Sequence, residues 1–285
     1  MDVAVVGAGR LGTAVAVRLA GAGHRIVAVA GRRGTAVRAA THLPGVPVLP
    51  EVRAAAAAEV VVIGTPDDAI EATAASLAAA IRPGAWVLHL SGALGLGALA
   101  AVAAAGARRL ALHPLQTFPD VASALERLPG CPVAVTAEDE EGFTLGERLA
   151  RDLGGRPFRL ADDRRALYHA AAVFASNYVV TASGAASELL AAAGVPDPAG
   201  ALVPLQRASL ENVERIGADR ALTGPAVRGD AGTILRNLEA LKQDLPGLIP
   251  AYVGMARAAL DLADRAGRLP PGGRAAVENV LAAWT

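Results

Sequence analysis

The sequence predicts an α/β domain with a doubly wound parallel sheet, followed by an all-α domain. Short apolar runs alternate with helical stretches in the first part of the chain, which is typical of β-α-β units. This alternation stops near Leu160, and no convincing strand follows it. A chain of 285 residues is long enough for one or two domains with a sizeable core. We therefore expect two domains, at residues 1–160 and 161–285.

Eight apolar segments predict the strands of the first domain, and the third of them is the weakest. In order they read DVAVV, RIVAVA, VPVL, EVVVIG, AWVLHL, RRLALH, CPVAVTA and RPFRL. In the second domain, helices are expected at about 164–193, 199–216, 230–244, 249–266 and 272–283, between segments rich in glycine and proline. Asp162 or Asp163 is expected to cap the first of these helices.

Composition excludes several classes of protein. Basic and acidic residues balance at 27 each, so no charge excess favours nucleic acid or an anionic membrane as a partner. The single cysteine, Cys131, has no disulfide partner and no second thiol for a metal site, and we expect it to be buried. No basic region precedes the first apolar run, as a signal peptide would require. We expect a cytoplasmic protein without a metal.

The sharpest motif is VVGAGRLG, in which Gly7, Gly9 and Gly12 form G-x-G-x-x-G between a strand and a helix. The first glycine allows a tight turn, the second lets the backbone approach a pyrophosphate, and the third permits close packing of helix on strand. The free N–H groups at the start of the helix then face the phosphates. This context predicts a dinucleotide site, whereas a mere tight turn is the alternative.

The end of the second strand indicates which dinucleotide binds. NAD-binding proteins usually carry an acid about 20 residues after the glycines, but this chain reads AVAGRRG there. Guanidinium groups bind a 2′-phosphate well, and an acid would repel it. Arg32 and Arg33 therefore predict NADP(H), unless they are solvated loop charges.

Two further strand ends are expected at the cofactor, because ligands of open α/β sheets bind at the carboxyl ends of strands. One carries Gly64, Thr65 and Pro66, with Thr65 as the expected cap of the next helix. The other carries Ser91 and Gly92. The complete set of expected cofactor residues is Gly7, Ala8, Gly9, Arg10, Leu11, Gly12, Gly31, Arg32, Arg33, Gly64, Thr65, Pro66, Ser91 and Gly92.

Candidate substrate residues lie in two loops. His113 ends the sixth predicted strand, with Gln116 just beyond it, and is either a site residue or a packed loop residue. Arg228, in LTGPAVRGDAGT, is a candidate for a substrate carboxylate. Asp230 is a candidate to orient another group, although it also stands where a helix N-cap belongs.

The helical segment ALYHAAAVFASNYVV is apolar apart from His169, Ser176 and Asn177. Reduction of a carbonyl or imine leaves a product that needs a proton, and histidine is a suitable donor near neutral pH. In an α-helix, His169 and Asn177 would lie about 12 Å apart along the axis and about 80° apart around it. They are therefore expected to line one wall of a cleft without touching.

The motifs GAGRLG, GTPDD, LSG, HPLQTF, YHAAAVFASNY and LTGPAVRGD occur in this order over most of the chain. In this combination the chain resembles Rossmann-like proteins whose helical C-terminal domain was long catalogued as of unknown function, within the 6-phosphogluconate dehydrogenase-like group. The resemblance implies an NADP-dependent oxidoreductase that forms a homodimer through its helical domain. Some members resemble ketopantoate reductases, and related enzymes include pyrroline-5-carboxylate reductase and prephenate dehydrogenase.

The wider group often carries a catalytic lysine and, four residues later, an asparagine. Here His169 stands in place of the lysine and Val173 in place of the asparagine. If the group's mechanism applies, the resemblance implies that His169 is the acid and that Asn177 binds substrate.

These observations lead to one hypothesis and its alternatives. The hypothesis is an NADPH-dependent reductase of a small carbonyl acid, with 2-dehydropantoate, reduced to pantoate, as the best single candidate. The expected catalytic and substrate residues are His169, Asn177, His113, Ser176, Gln116, Arg228 and Asp230. The alternatives are an imine reductase, a prephenate-type dehydrogenase, or an NADP(H)-binding regulatory protein without catalysis.

Overall fold

A computed structural model describes residues 1–284 and divides into two compact units, at residues 1–176 and from residue 177 onward. The strands of the first unit are β1 (Asp2–Val6), β2 (Arg25–Ala30), β3 (Val60–Ile63), β4 (Trp86–His89), β5 (Arg108–Pro114), β6 (Pro132–Ala137) and β7 (Arg156–Arg159). Its helices are α1 (Arg10–Gly21), α2 (Thr35–His42), α3 (Glu51–Ala56), α4 (Asp67–Leu77), α5 (Ala100–Ala104), α6 (Val121–Arg127), α7 (Glu140–Asp152) and α8 (Arg165–Ala172).

The seven strands form one sheet in the order β2-β1-β3-β4-β5-β6-β7. The pairs from β2 to β5 are parallel, and apolar side chains of the strands, α1 and α4 bury both faces. β6 pairs antiparallel with β5, and β7 runs parallel to β6. The expected parallel, doubly wound sheet is therefore confirmed, with one antiparallel pair at this edge that the sequence did not predict.

The predicted strand VPVL is also wrong. Val48 makes a single parallel bridge to Val29, next to β2, and no strand forms there. Pro47 and Pro50 flank it, and proline cannot donate to a sheet ladder. The short segment is therefore limited to one bridge.

The switch point of the sheet lies at β1, because β2 pairs on one side of it and β3 on the other. Open α/β sheets bind ligands at the carboxyl ends of the strands beside such a point. This position explains why the loop after β1 meets the loop after β3.

The start of α8 differs from the expected capping. Asp162 and Asp163 lie in a short 3₁₀ turn, Asp162–Arg164, and neither side chain caps the helix. The Asp162 carboxylate instead accepts a hydrogen bond of 2.8 Å from the backbone nitrogen of Leu96. Arg165, the first residue of α8, is buried in the first unit, so this unit extends beyond the last strand.

The second unit is helical. Its helices are α9 (Tyr178–Ala192), α10 (Pro198–Ile216), α11 (Ala218–Ala221), α12 (Ala231–Asp244), α13 (Ile249–Arg265) and α14 (Gly273–Ala282). Leu238, Leu260, Val277 and Leu281 form the centre of its core, between α12, α13 and α14. α9 and α10 pack against each other, and Gln206 donates a hydrogen bond of 2.7 Å to Ser183. None of the helices within residues 1–284 combines the length and the hydropathy needed to cross a bilayer.

Candidate functional site

The turn between β1 and α1 is so tight that two of its positions accept only glycine. Gly7 has a φ of +87°, and a Cβ there would lie 2.5 Å from the backbone nitrogen of Thr65. A Cβ on Gly12 would lie 2.5 Å from the carbonyl oxygen of Gly7. Glycine adopts a positive φ at little steric cost, and both contacts would be with backbone. The motif thus holds the end of β1 against the loop after β3.

The start of α1 is open to an anion. Gly9 is the N-cap residue, no side chain caps the helix, and no acid lies in its first turn. The first N–H groups of a helix have no partner within it and carry partial positive charge. A Cβ on Gly9 would meet no atom closer than 3.9 Å, so backbone is exposed to a ligand there. These features fit a pyrophosphate.

A cavity of about 220 Å³ lies beside this turn, at the carboxyl ends of β1, β2 and β3. Three arginines line it, Arg32, Arg33 and Arg38, together with the acidic residue Glu51. Arg32 and Arg33 are exposed, and both lie in the loop after β2. The cavity therefore has a net positive lining, which suits a phosphate.

Arg38 was missed by the sequence analysis, and its position is fixed. Its Nε donates to the carbonyl oxygen of Ala8 at 2.9 Å, and a terminal nitrogen donates to the hydroxyl of Thr35 at 3.3 Å. Arg38 lies one helical turn after Thr35, so both face the glycine turn from α2. Only the tertiary position of α2 shows that this arginine belongs to the cavity.

The predicted cofactor residues fall into three groups. Those that line the cavity are Gly7, Ala8, Gly9, Gly31, Arg32, Arg33, Gly64, Thr65 and Pro66. Arg10, Leu11 and Gly12 form the first turn of α1, and Ser91 and Gly92 follow β4. The cavity residues that sequence reasoning missed are Thr35, Arg38, Glu51, Ala69 and Thr73.

The prediction that Thr65 caps α4 is wrong. Pro66 occupies the N-cap position, and no side chain caps the helix. The hydroxyl oxygen of Thr65 is buried and has no hydrogen-bond partner among residues 1–284. A buried hydroxyl without a partner is unfavourable. Since Thr65 also lines the cavity, this oxygen is an unpaired polar group in the cavity wall.

Ser91 is fully engaged within the protein. Its hydroxyl donates to Asp67 at 2.7 Å and accepts from the backbone nitrogens of Ala93 and Leu94 at 3.2 and 3.1 Å. Its own backbone nitrogen donates to Nδ1 of His89 at 3.3 Å. A hydroxyl offers one donor and two acceptor sites. The Ser91 side chain therefore has no hydrogen-bonding capacity left for a cofactor.

Two histidines meet at Gly92. A Cβ on Gly92 would lie 2.8 Å from Nε2 of His113 and 2.9 Å from Nδ1 of His169. The two rings are edge-to-face, with centroids 6.5 Å apart. The two rings thus occupy the space that a side chain at position 92 would need, so a side chain is excluded there. The structure brings together His113, from β5, and His169, from α8.

His113 is held in place from its other side by Tyr168. Its Nδ1 lies 2.7 Å from the phenolic oxygen of Tyr168, and this hydrogen bond is partly buried. Burial, the charge of Arg165 and the nearby His169 lower the pKa of His113 to about 4, although Asp67 acts to raise it. Burial raises the pKa of Tyr168 to about 12. At neutral pH, both groups are therefore uncharged.

His89, at the end of β4, is a buried neighbour of the cluster. Its Nε2 lies 3.2 Å from the carbonyl oxygen of Gly95. Burial and the charge of Arg165 lower the pKa of His89 to about 4. Its ring therefore supports the Ser91 loop in the neutral form.

His169 is less enclosed than His89. Its Nδ1 is buried near Gly92 and has no hydrogen-bond partner among residues 1–284, while the residue as a whole is partly exposed. An imidazole has two nitrogens, Nδ1 and Nε2, that can form hydrogen bonds. With Nδ1 enclosed, Nε2 is the atom left to meet a ligand.

The helix that carries His169 does not continue as a regular α-helix. A π turn, Val173–Asn177, separates α8 from α9 and contains Ser176 and Asn177. A π turn has more residues per turn than an α-helix, so the expected angle of about 80° between His169 and Asn177 is wrong. Ser176 is half-buried and Asn177 is exposed.

The remaining candidates have local partners. The side-chain oxygen of Gln116 accepts from the backbone nitrogen of Thr117 at 2.8 Å. In the helical unit, Asp230 is the N-cap of α12 and accepts from the backbone nitrogen of Thr233 at 3.0 Å. Arg228 is exposed, and its nearest carboxylate oxygen, on Asp230, is 3.7 Å away. Asp230 therefore fills the structural role that the sequence offered as its alternative.

No group of three or more His, Cys, Asp or Glu side chains that could hold a metal ion occurs among the described residues. Cys131 is buried, and burial raises the pKa of its thiol.

Two family comparisons cover most of the chain. Residues 1–114 match the Rossmann-like domain, and residues 131–259 match the domain of unknown function DUF2520. The chain is therefore similar to Rossmann-like domains in its first part and to DUF2520 domains in its second part. The DUF2520 match starts just before β6, within the sheet, and extends into α13. No curated protein matches the chain significantly.

Solved structures share the fold along nearly the whole chain. A Bacteroides fragilis protein, provisionally assigned as an NADP oxidoreductase, is 24% identical with a TM-score of 0.74, over 91% of this chain and 98% of that one. The protein TM1727 from Thermotoga maritima is 21% identical with a TM-score of 0.68, over 93% and 100%. An imine reductase from Streptomyces aurantiacus is 20% identical with a TM-score of 0.63, over 100% of both chains. At these identities, the likeness shows the fold.

Proposed function

We propose that this protein is an NADPH-dependent oxidoreductase that reduces a small carbonyl acid, with 2-dehydropantoate as the first substrate to test. One observation carries the proposal: an arginine-lined cavity beside the glycine turn and a histidine cluster at Gly92 occupy strand ends of the same sheet. The first suits a dinucleotide phosphate, and the second suits proton transfer.

The residues around the cavity fit NADP(H). The open start of α1 would hold the pyrophosphate, and Arg32 and Arg33 would bind the 2′-phosphate, with Arg38 lining the same cavity. Thr65 offers a buried hydroxyl that has no partner within residues 1–284. Glu51 would repel a phosphate, but the three arginines give the residues that line the cavity a net positive charge.

The histidine cluster would complete the reaction. Reduced nicotinamide, when bound, supplies a hydride to the carbonyl carbon of the substrate. The carbonyl oxygen then carries negative charge and takes up a proton, for which His169 is the proposed donor through Nε2. His113 is a poor donor, because its lowered pKa of about 4 leaves it uncharged at neutral pH. We assign His113 to the positioning of substrate by hydrogen bonding.

An imine substrate is the second candidate, because the fold likeness to the Streptomyces aurantiacus imine reductase extends over both complete chains. An imine takes up its proton on nitrogen to form the iminium before the hydride arrives, whereas a carbonyl oxygen takes up its proton as the alkoxide forms. The two chemistries therefore differ in how strongly they depend on His169.

The helical unit is proposed to form a homodimer. α10 exposes five large apolar side chains, which is unusual for a surface that stays in water. They are Val203, Leu205, Leu210, Val213 and Ile216. A dimer in light scattering that becomes a monomer in the variant Leu205→Glu would support this, and a monomeric wild type would contradict it.

The experiment for the proposed function is an NADPH oxidation screen. The panel contains 2-dehydropantoate and other 2-oxo acids, together with pyrroline-5-carboxylate and other cyclic imines. Oxidation with an oxo acid supports the leading proposal, and oxidation with imines alone supports the second. NADPH binding without turnover of any compound would instead favour a regulatory protein.

A further inference from the structure

Arg165 is a buried cation that sequence reasoning did not identify. It is the first residue of α8, and only 1% of its surface is exposed. Burial of a charge is costly unless it is paired and hydrogen-bonded. Among residues 1–284, no carboxylate forms an ion pair or a hydrogen bond with Arg165, and Asp162 and Asp67 act on it only at longer range. A buried arginine without a carboxylate partner is energetically unfavourable, so we expect it to have a specific role.

The guanidinium group joins three separate segments of the first unit. Nη1 donates to the hydroxyl of Thr136 on β6 at 2.9 Å, and Nη2 donates to the carbonyl oxygen of Ser91 after β4. The Thr136 hydroxyl in turn donates to the carbonyl oxygen of Leu160 at 2.7 Å. Arg165 therefore ties the start of α8 to the carboxyl end of β4 and to β6.

The same face of α8 carries the cluster residues. Side chains three and four positions apart lie next to each other on a helix, so Tyr168 and His169 follow directly above Arg165. Tyr168 meets Nδ1 of His113 at 2.7 Å, and His169 lies against Gly92. The placement of Arg165 therefore sets the placement of both side chains.

The charge of Arg165 also acts on the cluster. The groups that influence His113 are Arg165, His169 and His89, which lower its pKa, and Asp67, which raises it. After burial, Arg165 is the largest cause of the lowered pKa of both His113 and His89. Burial lowers the pKa of Arg165 itself.

We propose that Arg165 is the positioning residue of this cluster: by tying the first turn of α8 to Ser91 and Thr136, it fixes Tyr168 and His169 against His113 and Gly92. The expected effect on kcat rests on the proposed oxidoreductase function. The placement of Tyr168 and His169 and the lowered pKa of His113 do not depend on that function. Burial, together with the charge of Arg165, lowers the pKa of His113, which leaves His169 as the proposed proton donor.

The test uses three variants of the full chain. Arg165→Met removes the charge and the hydrogen bonds, and Arg165→Lys keeps the charge with fewer hydrogen bonds. Arg164→Met is the matched control, since Arg164 is the preceding residue and its side chain is 67% exposed. Histidine titrations are followed by NMR, with His113 assigned from the spectrum of His113→Gln. Kinetics and NADPH affinity are measured in parallel.

In Arg165→Met, the titration midpoint of His113 is expected to rise toward its ordinary value, and kcat to fall about 10- to 100-fold through misplacement of His169. NADPH affinity should stay within about twofold of wild type, because Arg165 does not line the cavity. Arg165→Lys should keep the low midpoint and recover part of kcat. Arg164→Met should match wild type in both measurements.

A folded Arg165→Met variant whose His113 titration and kcat equal those of wild type would overturn the proposal. If this variant does not fold, Thr136→Val removes one of the two anchors and keeps the charge. We then expect a lower kcat with an unchanged His113 midpoint, and an unchanged kcat would overturn the proposal. The NMR titration needs no turnover, so failure of the proposed reductase activity remains distinguishable from failure of the role of Arg165.

Discussion

Nδ1 of His113 lies 2.7 Å from the phenolic oxygen of Tyr168, while Nε2 of the same ring faces Gly92 beside His169. One hydrogen bond thus fixes the orientation of an imidazole whose other nitrogen lies at the centre of the cluster. Because the pKa of His113 is lowered to about 4, this ring is neutral under ordinary conditions. This relationship is consistent with the proposed roles, in which His113 positions the substrate and His169 donates the proton.

Replacement of Tyr168 by phenylalanine should test this hydrogen bond. The change leaves Nδ1 of His113 without a partner in a partly buried site, which costs about 1–3 kcal/mol. The free energy of unfolding, measured with urea, should fall by that amount. Tyr252→Phe is a suitable control, because Tyr252 accepts an exposed hydrogen bond from Asn237. Equal losses in both variants would contradict the assignment.

Replacement of Gly92 by alanine should displace both histidines. A new Cβ would lie 2.8 Å from His113 and 2.9 Å from His169, closer than van der Waals contact allows. We expect kcat to fall about 10- to 100-fold with little change in NADPH affinity. Gly97→Ala serves as the control in the same loop, because a Cβ there meets nothing within 4 Å. A Gly92→Ala enzyme with normal kcat would argue against a role for the cluster.

Removal of the exposed arginines should change cofactor preference. In the double variant Arg32→Ser with Arg33→Ser, the Kd for NADPH should rise about tenfold or more, because charged hydrogen bonds to the 2′-phosphate are worth about 1.5–3 kcal/mol each. NADH binding should change little. Arg53→Ser is the matched control, since Arg53 is exposed on α3 and does not line the cavity. Equal effects on both dinucleotides would exclude 2′-phosphate recognition.

Stability should depend on pH in the range where histidines titrate. The pKa values of His89 and His113 are lowered from an ordinary 6.5 to about 4, so the folded state binds fewer protons than the unfolded state between these values. Their contribution to stability is complete above about pH 6.5 and is lost as pH falls toward 4. Urea unfolding at a series of pH values should show this decline, with a shallower slope in His113→Gln. A flat profile between pH 6.5 and 5 would show that these histidines are not held neutral.

The features that the sequence predicted well are local ones. Gly7, Gly9 and Gly12 predicted the tight turn correctly, because G-x-G-x-x-G between a strand and a helix is typical of a dinucleotide-binding turn. The long helix expected at about 164–193 was less predictable. A π turn interrupts it at Val173–Asn177, and no residue type marks such a turn in the sequence. VPVL does not form a strand because Pro47 within it and Pro50 after it limit it to one bridge.

The features that were missed depend on tertiary contacts. Arg38 reaches the glycine turn only because α2 packs beside it, and Arg165 matters because of Ser91 and Thr136, which are distant in sequence. A buried arginine and a surface arginine look the same in a single sequence. Thr65 was assigned to a helix cap on local grounds, and its hydroxyl instead lies buried on the cavity wall.

The most direct measurement compares wild type and His169→Gln in single-turnover NADPH oxidation with 2-dehydropantoate, with His42→Gln as a control on α2. General acid catalysis typically contributes about 10²- to 10⁴-fold, so we expect a rate loss of that order in His169→Gln, with NADPH affinity unchanged. His42→Gln should retain the wild-type rate. A His169→Gln variant that oxidises NADPH at the wild-type rate would contradict the account.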